Sequence, residues 1–399
     1  MFSKILQKIR IVKNKIRNKI RIEIRKIQGY KVIYNVNQVK EVKYKKRAIL
    51  IYLVDAFLLK DNDLMFLYHQ NLRQCKQIAS ILGEFGYIVD VADINDANFK
   101  PARIYDLVLS HRFNLNNIKK SLQNSIKIYL STGINHIISN RNVKKRYENL
   151  IERRKCNLKI KSLLSEDMPF VLEADFIIGF GNDFIMKTWQ EIVKVPTYLF
   201  NNYGFQKTKF IDKKFIDARR NFLFFASSGQ VLKGLDLLLD IFPKYPELNL
   251  YICSRFEKEK DFCQIYYNEL FKTKNIHPVG FILVNSDEFY RLINKCAYII
   301  YPSCSEGQPG AVIQCMYTGL IPILTKESGI DTEDFGITFS NDTIEEIENT
   351  IIKLSQMPEE WCKERSIKTR KIAEKKYSEE AFMERWREIL KVLHRNINK

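Results

Sequence analysis

No stretch of about 18 or more apolar residues occurs in the 399-residue chain, so no membrane-crossing helix is expected. The first residues lack an unbroken apolar core and a small-residue cleavage site, so a secretory signal of the usual form is not expected. None of the cysteines at 75, 156, 253, 263, 296, 304, 315 and 362 forms a Cys-x-x-Cys pair. Most sit in apolar runs such as "YICS" and "YPSC", the pattern of buried reduced thiols, so neither a disulfide framework nor a zinc site is expected. There is no cysteine–histidine cluster at metal spacing. The lone Asp-x-Asp, Asp61 and Asp63 in "KDNDL", fits an ordinary turn. Short-period repeats and low-complexity linkers are absent too.

Acidic residues are scarce at one end only. The formal charge is +19, yet residues 1–47 hold 16 Lys or Arg against Glu23 and Glu41, and the rest of the chain carries about +5. A basic tail on an ordinary fold is not the footprint of a nucleic-acid binder. Within the tail Phe2, Ile5, Ile9, Val12, Ile16, Ile20, Ile24 and Ile27 recur near the helical period, with cations between them. Residues 1–28 therefore suit a helix lying on an anionic membrane surface. A solvated extension and a partner helix are the other readings of the same pattern.

From Ala48 short β-branched runs alternate with longer amphipathic stretches, the mark of α/β domains with parallel sheets and crossover helices. Strands are expected in "AILIYLVDAF", "YIVDVADI", "YDLVLSHRF", "IKIYLSTG", "ADFIIGFG" and "VPTYLFNNYG", then in "NFLFFASSG", "LNLYICS", "IHPVGFI", "AYIIYPS" and "LIPILT". The length exceeds what one core usually fills. The expected layout is a basic extension over 1–46, a doubly wound Rossmann-like domain over 47–204 and a second over 205–376. A C-terminal helix over 377–399 can cross back to the first domain. Such domains place ligands at the carboxyl ends of their strands, in a cleft where strand ends face each other.

The segment "YPSCSEGQPGAVIQCMYTGLIPILT" carries the clearest chemistry. A buried strand ends at Tyr301 and Pro302, and a loop containing Glu306 leads into a helix starting near Gln308 to Gly310. Such a helix start suits a phosphate, and Gly307 and Gly310 let backbone approach a ligand closely. In "FFASSGQVLKGLDLLLDIF" a strand runs through a small-residue loop into Lys233-Gly234. By itself Lys233 reads as a solvated lysine in a first helical turn.

Together these two segments resemble the family-4 retaining glycosyltransferases, which have the GT-B fold of two Rossmann-like domains facing across a cleft. The Glu-x7-Glu signature of that family falls on Glu306 and, eight residues on, Gln314. The resemblance implies that Glu306 binds donor-sugar hydroxyls and that position 314 meets the nucleotide ribose. An amide there still bonds a hydroxyl, at about half the strength of a charged partner. It implies that Lys233 neutralises the donor diphosphate as the glycosidic bond breaks. The arginine the family usually carries five residues before this lysine is Ser228 here. Ser228, Gly229, Gly234, Gly307, Gln308, Gly310 and Gln314 are the implied donor-binding set. The family's sugar-contacting histidine corresponds to His136 in "IKIYLSTGINHIISN", with His111 and His69 as competitors, and Gly133 is placed to line the donor pocket through its backbone. "GFGND" (179–183) opens a further helix, as a ligand contact or as a cap through Asn182 or Asp183. The resemblance covers roughly 48 to 390, is strongest over 221–339, and includes segments similar to bacterial surface-polysaccharide and lipopolysaccharide transferases.

The implied activity is that of a transferase with a nucleotide-sugar donor, a saccharide or lipid-linked acceptor, no cofactor and no metal, acting in the cytoplasm or on the inner face of the plasma membrane. No second carboxylate is identifiable opposite Glu306, so retention is expected by front-face displacement rather than by the two-carboxylate route of retaining glycosidases. A nucleotide-sugar epimerase of similar fold and an inactive sugar-nucleotide-binding protein are the alternatives.

Overall fold

The computed structural model describes residues 32–37, 46–61, 63, 65–96, 99–111, 122–166, 169–205 and 207–397. The amphipathic pattern over residues 1–28, and with it the membrane-surface reading, lies outside the described residues. Two β-sheets run through the chain, one of seven strands and one of six. The chain divides into two compact units, residues 1–128 and 129–399.

In the first unit the strands are β1 (Val32–Ile33), β2 (Lys46–Tyr52), β3 (Tyr87–Asp93) and β4 (Leu107–Ser110), in the order β1-β3-β2-β4. β2 is parallel to β3 and β4, and the short edge strand β1 is antiparallel to β3. β2 and β3 read as near-continuous apolar runs because both faces are covered, and Ala48 to Ile51 are at most 1% exposed. Helix α1 (Gln70–Glu84) joins β2 to β3 and is followed by Gly86 in a left-handed conformation, which ends the helix. The charge count alone assigns residues 32–37 to the basic extension, yet they run along β3. The Asn37 amide donates to the Tyr87 carbonyl at 2.9 Å and accepts from the Val89 N–H at 2.8 Å.

The second unit begins within β5 (Ile126–Ser131). Helix α2 (His136–Arg154) follows, started by the Asn135 side chain accepting from the Ile138 N–H at 2.9 Å. It ends on Arg153 and Arg154, cations that suit the negative pole of a helix. β6 (Phe176–Phe180) is parallel to β7 (Thr197–Phe200), with α3 (Asp183–Gln190) between them.

The six-stranded sheet is parallel throughout, in the order β10-β9-β8-β11-β12-β13. Its strands are β8 (Asn221–Phe225), β9 (Asn249–Cys253), β10 (Ile276–Pro278), β11 (Tyr298–Tyr301), β12 (Ile321–Thr325) and β13 (Ile337–Phe339). Helices α4 (Leu235–Ile241), α5 (Asp287–Lys295), α6 (Gly310–Met316), α7 (Ile344–Ser355) and α8 (Glu359–Lys376) surround it. β11 lies at the centre, and its four residues are at most 1% exposed. Every strand in this sheet points the same way, so the loops after β8 and β11 leave from one edge. That edge is where Lys233 and Glu306 reside.

Helix α9 (Glu379–Ile397) returns to β7: Phe382 and Trp386 pack on Phe200 with ring centroids 5.4 and 5.2 Å apart. Among the described residues no helix is long and apolar enough to cross a membrane.

Candidate active site

A cavity of about 410 Å³ opens in the second unit at the ends of β5, β8 and β11. Its wall includes Gly133 and His136 from the β5–α2 turn, Ser228, Gly229 and Lys233 from the β8–α4 loop, and Glu306 and Gly307 from the β11–α6 loop. Residues from three separate strand ends thus meet in one place.

Lys233 and Glu306 form an ion pair on this wall, with side chains 15% and 19% exposed. The hydroxyl of Tyr301 joins them: it accepts from Lys233 Nζ at 2.7 Å and donates to Glu306 Oε1 at 2.8 Å. Burial, and after it the neighbouring Glu306 charge, holds the Tyr301 phenol well above its usual pKa, so it acts as a neutral donor. Lys233 is the only lysine or arginine, and Glu306 the only carboxylate, among the described residues of the wall.

Two glycines allow the loops to converge. A Cβ on Gly307 would lie 2.0 Å from the Thr132 carbonyl oxygen, and one on Gly133 would lie 2.7 Å from that of Glu306. Gly234 has φ +81°, and a Cβ there would stand 2.3 Å from the Pro302 carbonyl oxygen. Only glycine permits this backbone packing. Gly234 serves the seating of α4 against the β11 loop and is not on the cavity wall.

Helix α2 holds the β11–α6 loop from the other side. Ser139 Oγ bonds Ser305 Oγ at 2.7 Å, Asn142 Nδ2 donates to the Cys304 carbonyl at 3.0 Å, and Arg146 donates to the Pro302 carbonyl at 3.1 Å. Arg146 also pairs with Asp342 at 2.6 Å. Positions 139, 142 and 146 share one helix face by their spacing, and Val143, Tyr147 and Leu150 beside them enter the core. Further along, Arg153 and Arg154 pair with Asp236, Asp240 and Glu269. Helix α2 is thus a clamp whose polar face grips the site loop.

His136 opens α2. Its Nδ1 lies 2.6 Å from the Ser165 carbonyl oxygen, which can only accept, so Nδ1 carries a proton and donates it there. Its ring meets the edge of Trp189 at 6.1 Å, and Trp189 Nε1 donates to the Gly133 carbonyl at 2.7 Å. The segment supplying Ser165 is pinned by Asn140, which bonds Leu164 in both directions at 2.8 Å.

Against known proteins, the decisive likeness lies in the six-stranded sheet. Residues 219–357 match the family model of glycosyl transferases group 1. The matched stretch spans β8 to β13 and contains both Lys233 and Glu306, while Gly133 and His136 lie outside it. Across most of the chain the fold is similar to sucrose-phosphate synthase from Thermosynechococcus elongatus. That match has 12% identity and a TM-score of 0.57, over 88% of this chain and 100% of the other. It is also similar to Anabaena HepE in complex with UDP and glucose, with 12% identity and a TM-score of 0.53 over the same shares. Curated proteins yield no match to the chain. The α/β architecture with two parallel sheets is the GT-B fold.

Within the matched stretch some expected donor residues face elsewhere. Gln314 is 2% exposed. Its amide accepts from the Phe205 N–H at 3.0 Å and donates to the Thr208 hydroxyl, so it fastens the segment leading into the domain. Gln308, with φ +55°, donates to Asn201 at 2.7 Å and to the Gly329 carbonyl at 2.9 Å, and accepts from the Asn202 N–H at 2.7 Å. Neither lines the cavity, and neither does Gly310. The start of α6 was expected to offer free amides to a phosphate. In the loop just before it, the amides of Glu306 and Gln308 donate to the carbonyls of Glu327 and Ser328 at 3.1 and 2.8 Å. In the β8–α4 loop the Glu259 carboxylate accepts from the N–H groups of Gly229 and Gln230 at 2.6 and 3.2 Å. These amides are committed to the fold, which leaves Lys233 as the principal positive charge facing the cavity.

His69 is exposed at the start of α1, and His111 rests edge-on against Tyr52 at 6.4 Å. Both belong to the first unit. Asn182 caps α3, accepting from the Ile185 N–H at 3.2 Å, so in "GFGND" the capping role is the one the geometry displays. Tyr301, Trp189, Arg146 and Glu259 escaped the reading by sequence. Arg146 had a signal, its spacing from Ser139 and Asn142; the others had none, since a strand tyrosine or a helix tryptophan reads as core.

Proposed function

We propose that the protein is a retaining glycosyltransferase that moves a sugar from a nucleotide-sugar donor to a glycan or lipid-linked acceptor in cell-surface polysaccharide synthesis. The observation that carries this reading is the convergence of Lys233 and Glu306 on one cavity wall, inside a group 1 domain. The complex of the structurally similar Anabaena HepE with UDP and glucose supports a nucleotide-sugar donor.

In the proposed reaction Lys233 leaves Glu306 for the donor diphosphate, whose negative charge grows as the C1–O bond breaks. Glu306 and His136 hold hydroxyls of the transferred sugar. The acceptor hydroxyl attacks C1 on the face the diphosphate leaves, and its proton passes to the departing phosphate oxygen. Configuration is retained without a covalent sugar–enzyme intermediate, which agrees with Glu306 being the one carboxylate among the described wall residues. The ammonium of Lys233 takes the part a divalent ion plays elsewhere, so EDTA leaves the rate unchanged. Residues 1–28 bring the enzyme to the anionic inner face of the plasma membrane.

Thermal-shift screening against a panel of nucleotide sugars tests the donor. A ligand at about 100 times its Kd stabilises by about 2.7 kcal/mol. Product analysis with the best donor then gives the anomeric outcome. Lys233→Ala is expected to weaken nucleoside-diphosphate binding and turnover together, and Glu306→Ala to abolish turnover while sparing that binding. Full turnover by Glu306→Ala overturns the assignment. Gln314 facing the Phe205 segment, and Ser228 standing where an arginine is usual, favour one rival: an inactive sugar-nucleotide-binding protein. A donor that stabilises the protein and is never consumed decides for it.

A further inference from the structure

Tyr301 ends β11 and is 1% exposed, so its hydroxyl is shut off from bulk water. Its ring stacks on Phe224 with centroids 5.9 Å apart and 16° between planes, which fixes where the hydroxyl points. A carboxylate only accepts and an ammonium only donates. The hydroxyl at 2.8 Å from Glu306 Oε1 and 2.7 Å from Lys233 Nζ therefore gives its proton to Glu306 and its lone pair to Lys233. Tyr298, three residues earlier on the same strand, shows what a tyrosine serving the fold does: its hydroxyl donates to the Leu354 carbonyl at 2.8 Å. A buried hydroxyl aimed at the site's two charged groups is a desolvation cost that an aliphatic residue at a strand end would avoid.

We propose that Tyr301 is a positioning residue for Glu306, the group that keeps the carboxylate turned toward the sugar once the donor diphosphate has drawn Lys233 away. The role rests on the transferase reading above. Before the donor enters, two donors hold Glu306; afterwards the phenol remains, and it stays protonated because its pKa is raised. Tyr301 acts through Glu306 and touches no reacting atom.

The test uses Tyr301→Phe in the full chain, assayed with the nucleotide sugar that the wild type consumes fastest from a panel of UDP, GDP, ADP and dTDP sugars. The ring and its stacking survive this change. Losing a hydrogen bond to a charged group corresponds to a fall in kcat of about 10- to 100-fold, with KM and the affinity for the nucleoside diphosphate little changed. In the Glu306→Gln background the same change adds nothing, because the group it positions is already altered. Tyr298→Phe, which removes an equally buried hydroxyl, leaves kcat as it is. A kcat for Tyr301→Phe within about twofold of the wild type, or a loss that multiplies with that of Glu306→Gln, overturns the proposal. A wild type that consumes no donor in the panel overturns the transferase reading and this role with it.

Discussion

Gly307 and Gly133 meet with no space for a side chain: a Cβ on Gly307 would lie 2.5 Å from the Gly133 Cα and 2.0 Å from the preceding carbonyl oxygen of Thr132. This crossing of two loops from different sheets makes the cavity wall continuous. Gly307→Ala must push the loops apart against close-packed surroundings, at a cost of about 1–3 kcal/mol. Urea unfolding is expected to register that loss, and donor binding to weaken with it. Gly229→Ala separates crowding from backbone strain: its Cβ would have no neighbour nearer than 3.6 Å, so its cost comes from the positive φ alone.

Trp189 ties His136 to the same crossing through its bond to the Gly133 carbonyl. Trp189→Phe keeps an aromatic ring but removes the donor. The Gly133 carbonyl then keeps the Ser131 hydroxyl at 2.9 Å. Stability is expected to fall by about 1 kcal/mol or more, and the His136 ring to shift against its smaller neighbour while keeping its bond to Ser165. Chemical denaturation measures the first effect, and histidine NMR the second.

Asp236, the second residue of α4, is fully buried, and burial lifts its pKa to about 6 against the opposing pull of Arg146 and Arg153. A carboxyl that titrates higher when folded binds its proton more tightly in the native state, so its contribution to stability falls as pH rises from about 4 to about 6. Above that window the difference is constant. Comparing unfolding free energies of the wild type and Asp236→Asn at pH 4 and pH 7 isolates the term, at about 1.4 kcal/mol per pH unit within the window. A difference between the two proteins that does not change across these pH values speaks against the buried-carboxyl account.

Thiol chemistry should divide the cysteines by burial. Cys304 sits in the site loop yet is 3% exposed, and burial pushes its thiol up to about 12, as it does for Cys75 and Cys296. Thiolates are the reactive form. Alkylation of the native protein near pH 8 is therefore expected to label the half-buried Cys156 and Cys263 first and to spare Cys304. Peptide mass spectrometry gives the order.

The strand and helix order could be read from the chain because hydrophobic periodicity is a local property. Each expected strand from Ala48 to Thr325 has its counterpart, from β2 to β12. The exception at the start is physical: β1 and Asn37 join the sheet through backbone and amide hydrogen bonds, which leave no hydrophobic pattern. Glu306 and Lys233 could be nominated because each stands in a loop whose spacing resembles a family element. The partner that links them could not, because Tyr301 is a strand residue and its hydroxyl direction depends on stacking against Phe224. Gln314 illustrates the reverse: its position in the spacing is correct, yet its amide is taken up by Phe205 and Thr208, contacts more than a hundred residues away in sequence.

By itself the amino-acid order determined the two α/β halves, the concentration of positive charge in the first 47 residues, and which loops carry a carboxylate and an ammonium. Periodicity, composition and spacing act over a few turns of chain, so they are visible without a fold. Only tertiary structure decided that the ammonium and the carboxylate, 73 residues apart, share one buried hydroxyl. It also decided that α2 clamps the site loop, and that several expected donor amides are committed elsewhere. Those outcomes depend on strand register and on which backbone groups meet first, and neither is written in any local stretch of sequence.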